Sequence, residues 1–256
     1  MKNIVYCILL LFTFSFGSCD LENTERTLPA NTGKSGELII VVDTIYANGL
    51  TGQALEQVFL EDVYGVPRSE PIFNVVTVPK KGFTSMLQTV RNILELDINS
   101  ANKTQIEIKE DVWAQNQTII TISAPNDKSA AAILSKNKDK LQKLFNEAEL
   151  RRSKLQLEKG VDLEKSNKLL EKHGFSLKVP SEFFISMDSS DFFFVRKNRV
   201  VGEHQILQGV MVYSYPYTND SAFVAKVIVD SMETFIYNVK GQPKGNMAVE
   251  LQYPVL

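Results

Sequence analysis

The sequence is poor in the residues on which most metal, redox and general-base chemistry depends. Among 256 residues there are two cysteines, two histidines and one tryptophan. Two cysteines exclude a scaffold held by several disulfides and a zinc module built on several cysteines. The 28 Lys and Arg residues nearly balance the 30 Asp and Glu residues, which argues against a dedicated nucleic-acid binder. Hydrophobic residues make up 44%, which is typical of a folded globular chain and excludes a disordered one.

The common motifs for catalysis, metals and nucleotides are also missing. The chain has no Gly-x-Ser-x-Gly elbow of the serine hydrolases and no paired-histidine metal signature. Residues 33–35, Gly-Lys-Ser, match the end of a phosphate-binding loop, but Leu28 stands where that loop needs its first glycine. We therefore predict no catalytic residue, no metal site, no cofactor, and neither a nucleotide nor a nucleic acid as partner.

The first 18 residues have the pattern of an export signal. Lys2 supplies a positive charge, and the apolar stretch 4–16 is too short to span a bilayer comfortably. Two small residues then precede Cys19, as in a lipoprotein signal that is cleaved before an acylated cysteine. We predict that residues 1–18 are a lipoprotein signal peptide and that Cys19 is the lipid attachment site. The alternative is an ordinary secretory peptide that contains a cysteine.

The remaining chain divides into a polar segment and two folded units. Residues 19–36 predict an acylated cysteine followed by a flexible tether. The first unit, 37–172, ends in a long charged helical region that we expect to break near Gly160. The second unit, 173–256, begins after that region. Each unit contains a hydrophobic strand, a polar loop and an amphipathic helix, so the two are either a duplicated unit or coincidentally similar.

The apolar spacing predicts an α+β fold with antiparallel-rich sheets and amphipathic helices on one face. In the first unit, the continuous apolar run within 37–43 predicts a buried central strand. Three strands are predicted at 92–98, 104–110 and 118–124, and residues 99–102 predict a hairpin between the first two.

The second unit is expected to contain several short strands and one strong helix. Its tight turns are predicted at 188–190 and 197–199, and its helix at 219–237. The predicted strands are 175–179, 183–187, 191–197, 200–215 and 247–253.

Aromatic residues are concentrated in these strands. Three consecutive phenylalanines at 192–194 must place at least one ring on each face of a strand. The second face is either covered by a helix or the other half of the molecule, or exposed as a patch for a partner. Tyrosines nearby could stack on a sugar or a peptide. The candidate partner or ligand surface consists of Phe192, Phe194, Tyr213, Tyr215 and Tyr217.

Carboxylates supply the alternative to a binding function. Glu182, Asp188 and Asp191 cluster between predicted strands, and paired carboxylates can hydrolyse a glycosidic bond. Asp and Ser are also the usual residues of tight turns. His173 and His204 lie beside no recognisable nucleophile. The alternative function is an envelope hydrolase that acts on glycan or peptide through carboxylates such as Glu182 or Asp191.

Four segments of the chain carry a resemblance to a known family: 28–43, 91–93, 111–117 and 208–218. In these segments the sequence resembles a family of Bacteroidota lipoproteins of unknown function, the domain-of-unknown-function family numbered 4837. The resemblance covers most of the chain after the signal. It implies a lipid-anchored envelope protein and no activity. Because members of that family extend further, it also implies that the second unit is truncated at its C-terminus.

We therefore expect a non-enzymatic, lipid-anchored protein of the cell envelope that binds an envelope protein or polymer. The lipid on Cys19 is the expected contact with the membrane. The residues after Cys19 lack an acidic run that would favour export to the cell surface, so we expect the outer membrane, facing the periplasm. An exposed apolar patch would favour a binding function, whereas a concave pocket with two converging carboxylates would favour a hydrolase.

Overall fold

The structure, a computed structural model, describes residues 27–64, 66, 69–237, 239–241 and 245–246. The predicted signal peptide, Cys19 and the predicted strand 247–253 lie outside these residues. The strands are β1 (Glu37–Val41), β2 (Asn74–Val78), β3 (Asn92–Ile98), β4 (Gln105–Glu110), β5 (Thr118–Ala124), β6 (Phe184–Asp188), β7 (Phe192–Val201), β8 (His204–Tyr213), β9 (Lys240–Gly241) and β10 (Gly245–Asn246).

The helices are α1 (Thr44–Ala47), α2 (Leu50–Phe59), α3 (Ser85–Gln88), α4 (Asp127–Lys136), α5 (Lys138–Glu158), α6 (Leu163–His173) and α7 (Ala225–Ile236). Short 3-10 helices lie at Lys80–Gly82 and Asp220–Phe223. The predicted α+β class is confirmed. No helix in the described ranges is both long and apolar enough to cross a bilayer.

The first unit is built on a five-stranded mixed sheet in the order β2-β1-β3-β5-β4. β1 pairs in parallel with β2 and β3, β3 pairs in parallel with β5, and only the edge strand β4 is antiparallel to its neighbour. Parallel neighbours need long crossover connections, and here these pass through α1 and α2, through α3, and through β4. The predicted antiparallel pairing is therefore limited to β4 and β5 in the first unit, whereas the sheet of the second unit is antiparallel throughout.

Each face of this sheet has its own cover. On one face, α2, α4 and α5 pack over the sheet, and the rings of Phe59, Phe73 and Phe145 meet edge to face with centroids 5.9 to 6.1 Å apart. On the other face, Phe83 and Trp113 cover the apolar residues of β1, β3 and β5, with their ring centroids 5.8 Å apart. The interior strand β1 is buried, as its continuous apolar run predicts.

The second unit is a three-stranded antiparallel sheet, β6-β7-β8, between two helices. From α6, Leu169 packs on Phe193 and Val195 of β7. From α7, Phe235 packs on the opposite side of the same strand, against Phe192. Consecutive strand residues point to opposite faces, so the apolar run in β7 requires a cover on both faces.

Two predicted connections and one predicted strand differ from the structure. Residues 99–102 join β3 to β4 but form no hairpin, because β5 lies between these two strands. Residues 197–199 continue β7, and the chain turns instead at Gly202, whose φ of 61° suits glycine. Residues 175–179, predicted as a strand, form neither a helix nor a strand. The predicted helix break is present near Gly160, and Asn137 adds a second break earlier in the region.

Packing places the division between the units earlier than the sequence does. The predicted first unit ends at 172, yet α6 belongs to the hydrophobic core of the second sheet. The loop at 159–162 is therefore the observed division. The units also differ in topology, because one sheet has five mixed strands and the other has three antiparallel strands. Their similar order of strand, loop and helix therefore does not reflect a repeated fold.

The described part of the predicted tether, residues 27–36, is hydrogen-bonded to the first unit. The amide of Gln115 donates to the carbonyl of Pro29 at 2.8 Å, and the amide of Thr32 donates to the carbonyl of Thr89 at 2.9 Å. The amide of Arg91 in turn donates to the carbonyl of Thr32 at 3.0 Å. This segment runs across the edge of the sheet at which β3 and β5 begin.

Candidate functional site

Two of the five predicted surface aromatics are core residues. Phe192 and Phe194 are buried, together with Val239, between the sheet and α7. Phe235 stacks on Phe192 with ring planes inclined by 10° and centroids 5.9 Å apart. The second face of the phenylalanine run is therefore covered by a helix, one of the two outcomes that the sequence left open. Neither ring is available to a partner.

The three tyrosines lie in sequence at the end of β8 and in the loop that follows. Tyr213 stacks on Phe235 with centroids 4.8 Å apart, and burial raises the pKa of its hydroxyl. Tyr215 is half-buried and donates to the carbonyl of Ala222 at 3.0 Å. Tyr217 is 63% exposed and donates to Asp220 at 2.7 Å. Of the predicted residues, Tyr217 presents the largest fraction of its surface.

One group of exposed apolar residues in the second unit lies at the far end of the β7–β8 hairpin. Others lie in α6 and in the 3-10 helix before α7, where Leu163 is 71% and Phe223 68% exposed. We call residues 198–208 the hairpin arm. Here the two strands extend beyond the part of the sheet that the helices cover, and every side chain described in this segment is exposed. Val200 is 68% exposed, Leu207 47% and Ile206 39%. The register pairs Leu207 with Asn198 and therefore places it on the same face as Val200, while Ile206 points to the other face. The arm thus carries exposed apolar side chains on both faces, among polar ones.

The predicted carboxylates do not converge on a common point. Glu182 pairs with Lys197, and Asp191 accepts hydrogen bonds from nearby serines. Asp188 accepts from Lys172 at 2.7 Å and lies 2.9 Å from Nε2 of His173. Burial acts to raise the pKa of Asp188, but these two hydrogen bonds outweigh it and hold the pKa below its ordinary value. Each carboxylate is bound by its own local partners, cations for Glu182 and Asp188 and serine hydroxyls for Asp191.

A different carboxylate pair lies in the first unit, beside a cavity of about 280 Å³. Glu95 and Asp97 are two residues apart on β3 and point to the same face of the sheet. The cavity is lined by Val41, Lys80, Phe83, Glu95, Leu96, Asp97 and Thr121. It lies towards the carboxyl ends of the parallel strands, the edge where open α/β sheets most often bind ligands.

The environment separates the pKa values of these two carboxyl groups. Burial raises the pKa of Glu95, and the charge of Asp97 adds to this effect. Hydrogen bonds from Lys80 at 2.9 Å and from Asn102 at 2.8 Å lower the pKa of Asp97. Glu95 therefore holds a proton to higher pH than Asp97 does. Such a split is the arrangement that a general acid and an ionised partner require.

The alternation of acidic and apolar residues in β3 is a sequence signal for this pair of carboxylates. Within β3, Asn-Ile-Leu-Glu-Leu-Asp-Ile, the two acidic residues alternate with buried leucines. That alternation indicates a strand with two carboxylates on one face. The sequence analysis predicted the strand but not the pair. The described residues contain no group of three or more His, Cys, Asp or Glu side chains that could hold a metal ion.

These features define a two-unit α+β protein: a mixed sheet with a carboxylate cavity, joined at 159–162 to a small antiparallel sheet with a protruding hairpin. Two family models match, one to each unit. Domain of unknown function (DUF8532) matches residues 31–158, and Domain of unknown function (DUF4837) matches residues 162–255. The first match spans half of the chain, and the protein belongs to the DUF8532 family. No curated protein and no solved structure matches the chain.

The matches confirm part of the predicted resemblance and correct its extent. Family 4837 is found, but only over the second unit, so that of the four quoted segments only 208–218 lies within its match. The segments 28–43, 91–93 and 111–117 fall wholly or mainly in the DUF8532 match. The gap between the two matches coincides with the loop between α5 and α6, where packing also divides the units.

Proposed function

We propose that this is a lipid-anchored protein of the cell envelope, at the outer membrane facing the periplasm, which binds an envelope partner through the hairpin arm. The proposal keeps the anchor at Cys19 that the sequence predicts. It moves the binding surface from the buried rings of Phe192 and Phe194 to the exposed end of the same hairpin. The observation that carries it is a strand pair with apolar side chains on both faces and an edge at β8 that no described strand occupies.

The arm suits a partner that adds an extended segment to the sheet. Among the described strands, β8 pairs only with β7, so no described strand occupies its outer edge, and we expect this edge to accept another strand. In strand addition, main-chain hydrogen bonds supply affinity and pockets for alternate side chains supply specificity. Val200 and Leu207 on one face and Ile206 on the other supply apolar contacts for such a segment.

Photo-crosslinking in intact cells tests this surface. A benzophenone amino acid placed at Leu207 or Val200 should form one discrete adduct under light. The same probe at Ile45, an apolar residue 76% exposed in the first unit, is the matched control and should form none. Leu207→Ser should abolish the adduct formed from Val200, because the two side chains share a face. Equal adducts from Ile45, or none from the arm, would contradict the proposal.

The anchor has a test with an internal control, because the chain contains only two cysteines. Cells are labelled with a fatty-acid probe, and Cys19→Ala is compared with Cys7→Ala. Label should be lost in the first variant and retained in the second. Protease treatment of intact cells then reports the side of the membrane, and protection is expected for a protein that faces the periplasm. Label retained in Cys19→Ala would refute the anchor.

The carboxylate cavity favours a second candidate function, an envelope hydrolase that acts on glycan or peptide. In this proposal Glu95 is the general acid and Asp97 the ionised partner, in place of Glu182 and Asp191. Purified protein is assayed on envelope glycan and peptide fragments. Glu95→Gln should lower any turnover by about a hundredfold or more. Glu107→Gln, an exposed carboxylate on the edge strand β4, should leave it unchanged. Equal turnover in the two variants would exclude this role.

A further inference from the structure

A second polar site lies at the opposite edge of the large sheet, where β3 and β5 begin. Arg152, from α5, is buried there with 5% of its side chain exposed. One terminal nitrogen, Nη2, donates to Asn92 Oδ1 at 2.6 Å and to Glu149 Oε1 at 2.8 Å. The other, Nη1, donates to the carbonyl of Asn116 at 2.8 Å. The guanidinium is therefore held rigidly at the ends of these strands.

This network leaves several donors unused. Nε of Arg152 and Nε of Arg91 are buried and have no hydrogen-bond partner in the structure. Arg91 Nε lies 3.4 Å from Glu149 Oε1, close enough for charge attraction, and the terminal nitrogens of Arg91 form no hydrogen bond with any described residue. Lys159, at the end of α5, likewise has no ion pair within the described chain. Unpaired buried donors cost free energy unless another group satisfies them.

Arg91, Arg152 and Lys159 line a cavity of about 180 Å³. Its polar wall is formed by Asn31, Arg91, Asn116, Arg152, Gln156 and Lys159. Three of these residues are cations, and Glu149 is the one carboxylate that contacts the arginines, so the site carries an excess of positive charge. Asn116 has a φ of 55°, and its carbonyl accepts the bond from Arg152, so the wall is held in an uncommon backbone conformation.

We propose that this cavity binds a phosphate group. The two planar guanidinium groups match the oxygen geometry of phosphate, and Lys159 adds a flexible cation at the mouth of the cavity. The phosphate belongs either to a soluble phosphate compound or to the headgroup of an anionic lipid. Asn31 lies about 12 residues after Cys19, a span of about 40 Å at most, so an anchored chain holds the cavity within reach of headgroups. Of these two alternatives, only the lipid headgroup depends on the proposed lipid anchor at Cys19.

Thermal unfolding of the full chain in neutral detergent micelles tests the proposal, with fluorescence of the single tryptophan, Trp113, as the readout. One arm titrates inorganic phosphate against chloride at equal ionic strength. The other arm replaces phosphatidylcholine in the micelles by phosphatidylglycerol. Arg91→Gln and Lys159→Gln are the test variants, because both side chains line the cavity and neither donates a hydrogen bond to the fold. Arg151→Gln removes the same charge from a residue that pairs with Glu110 outside the cavity.

We expect phosphate to raise the unfolding temperature of the parent protein. Each test variant should weaken the apparent affinity by about tenfold or more, as for a lost hydrogen bond to a charged group. Arg151→Gln should leave the affinity unchanged. A shift with inorganic phosphate identifies a soluble phosphate compound, and a shift with phosphatidylglycerol alone identifies a lipid headgroup. If neither phosphate nor phosphatidylglycerol shifted the unfolding temperature, or if all variants shifted equally, the proposal would be overturned. The proposed binding function of the hairpin arm would be unaffected, because the hairpin arm lies in the other unit.

Discussion

At the scale of single residues, a buried ion cluster at the start of β3 contributes to the stability of the fold. Arg152 is a charged residue in the interior, and such a group is tolerated only when it is paired and hydrogen-bonded. Burial acts to raise the pKa of Glu149, but hydrogen bonds from Asn92 and Arg152, and the charges of Arg152 and Arg91, outweigh it and lower the pKa. The ionised carboxylate therefore stabilises the folded chain.

Glu149→Gln should lower the free energy of unfolding by about 3 kcal/mol near neutral pH, because it leaves a buried guanidinium without its counter-charge. The folded pKa of Glu149 lies below the ordinary value of 4.5, so its contribution is present above that value and is lost as the pH falls through the folded pKa. The difference between parent and variant should therefore shrink on acidification. Urea unfolding at several pH values measures it, with Glu147→Gln on the exposed side of the same helix as control.

Gly52, inside α2, is a position at which we expect alanine to destabilise the protein, although alanine is usually preferred to glycine in a helix. Replacing a helical glycine by alanine ordinarily stabilises a protein by about 1 kcal/mol. At Gly52 in α2, however, a Cβ would collide with the carbonyl oxygen of Ala47, and the backbone there cannot move away easily. Gly52→Ala should therefore destabilise the protein by about 3 kcal/mol. Gly160→Ala, where the nearest atom lies 3.9 Å away, is the control, and equal unfolding temperatures for the two variants would contradict the explanation.

At the scale of elements, the first backbone amides of α2 donate hydrogen bonds to a residue of α4. Leu50 and Thr51 begin α2, and their amides donate to the carboxylate of Asp127 in α4 at 2.9 Å each. The first amides of a helix have no partner within it, and a carboxylate there is also favoured by the helix dipole. Asp127 thus fixes α2 and α4 side by side over the sheet.

Asp127→Ala should cost about 1–2 kcal/mol of stability, the usual effect of losing a helix cap. Burial acts to raise the pKa of Asp127, yet the bonds from Thr51 and Leu50 outweigh it and hold the pKa below 3.8. The stabilisation is therefore present above that value and fades as the pH falls through the folded pKa. Chemical denaturation near neutral pH measures the loss. Lys128→Ala, at the exposed neighbouring position, should change little, and a comparable loss there would refute the capping role.

At the scale of the whole molecule, the two units have separate hydrophobic cores. The clusters of the first unit draw their buried residues from 38–145, and those of the second from 169–239. Segment 159–162 joins them, with an ion pair between Glu158 and Lys178 beside it. Separate cores are the condition under which two parts of a chain unfold independently.

Phe193→Ala provides the test of this independence. The ring is fully buried between α6 and the second sheet, so its removal should destabilise that unit by about 3–5 kcal/mol. Trp113 lies in the first unit. The unfolding transition followed by its fluorescence should therefore have the same midpoint in the variant as in the parent protein. Backbone hydrogen exchange in β7 and β8 should rise at the same time. A matching shift of the tryptophan transition would show instead that the units unfold together.

The sequence alone predicted the elements whose signals are local. The apolar run of β1, the strands β3 and β5, the break near Gly160 and the α+β class all follow from spacing and from turn residues over a few positions. The predicted partner surface did not follow for Phe192 and Phe194, because both rings are buried under α7, the alternative that the sequence had left open. The anchor at Cys19 rests on the sequence and stays a prediction.

The tertiary structure decided everything that depends on which distant segments meet. Strand order placed β5 between β3 and β4, and packing moved α6 to the second unit, because pairing partners are chosen by long-range burial and not by adjacency in sequence. The candidate sites arose in the same way. Glu95 and Asp97 face a cavity only because β1, β3 and β5 are neighbours, and Arg91 meets Arg152 across some 60 positions of chain because α5 crosses the start of β3.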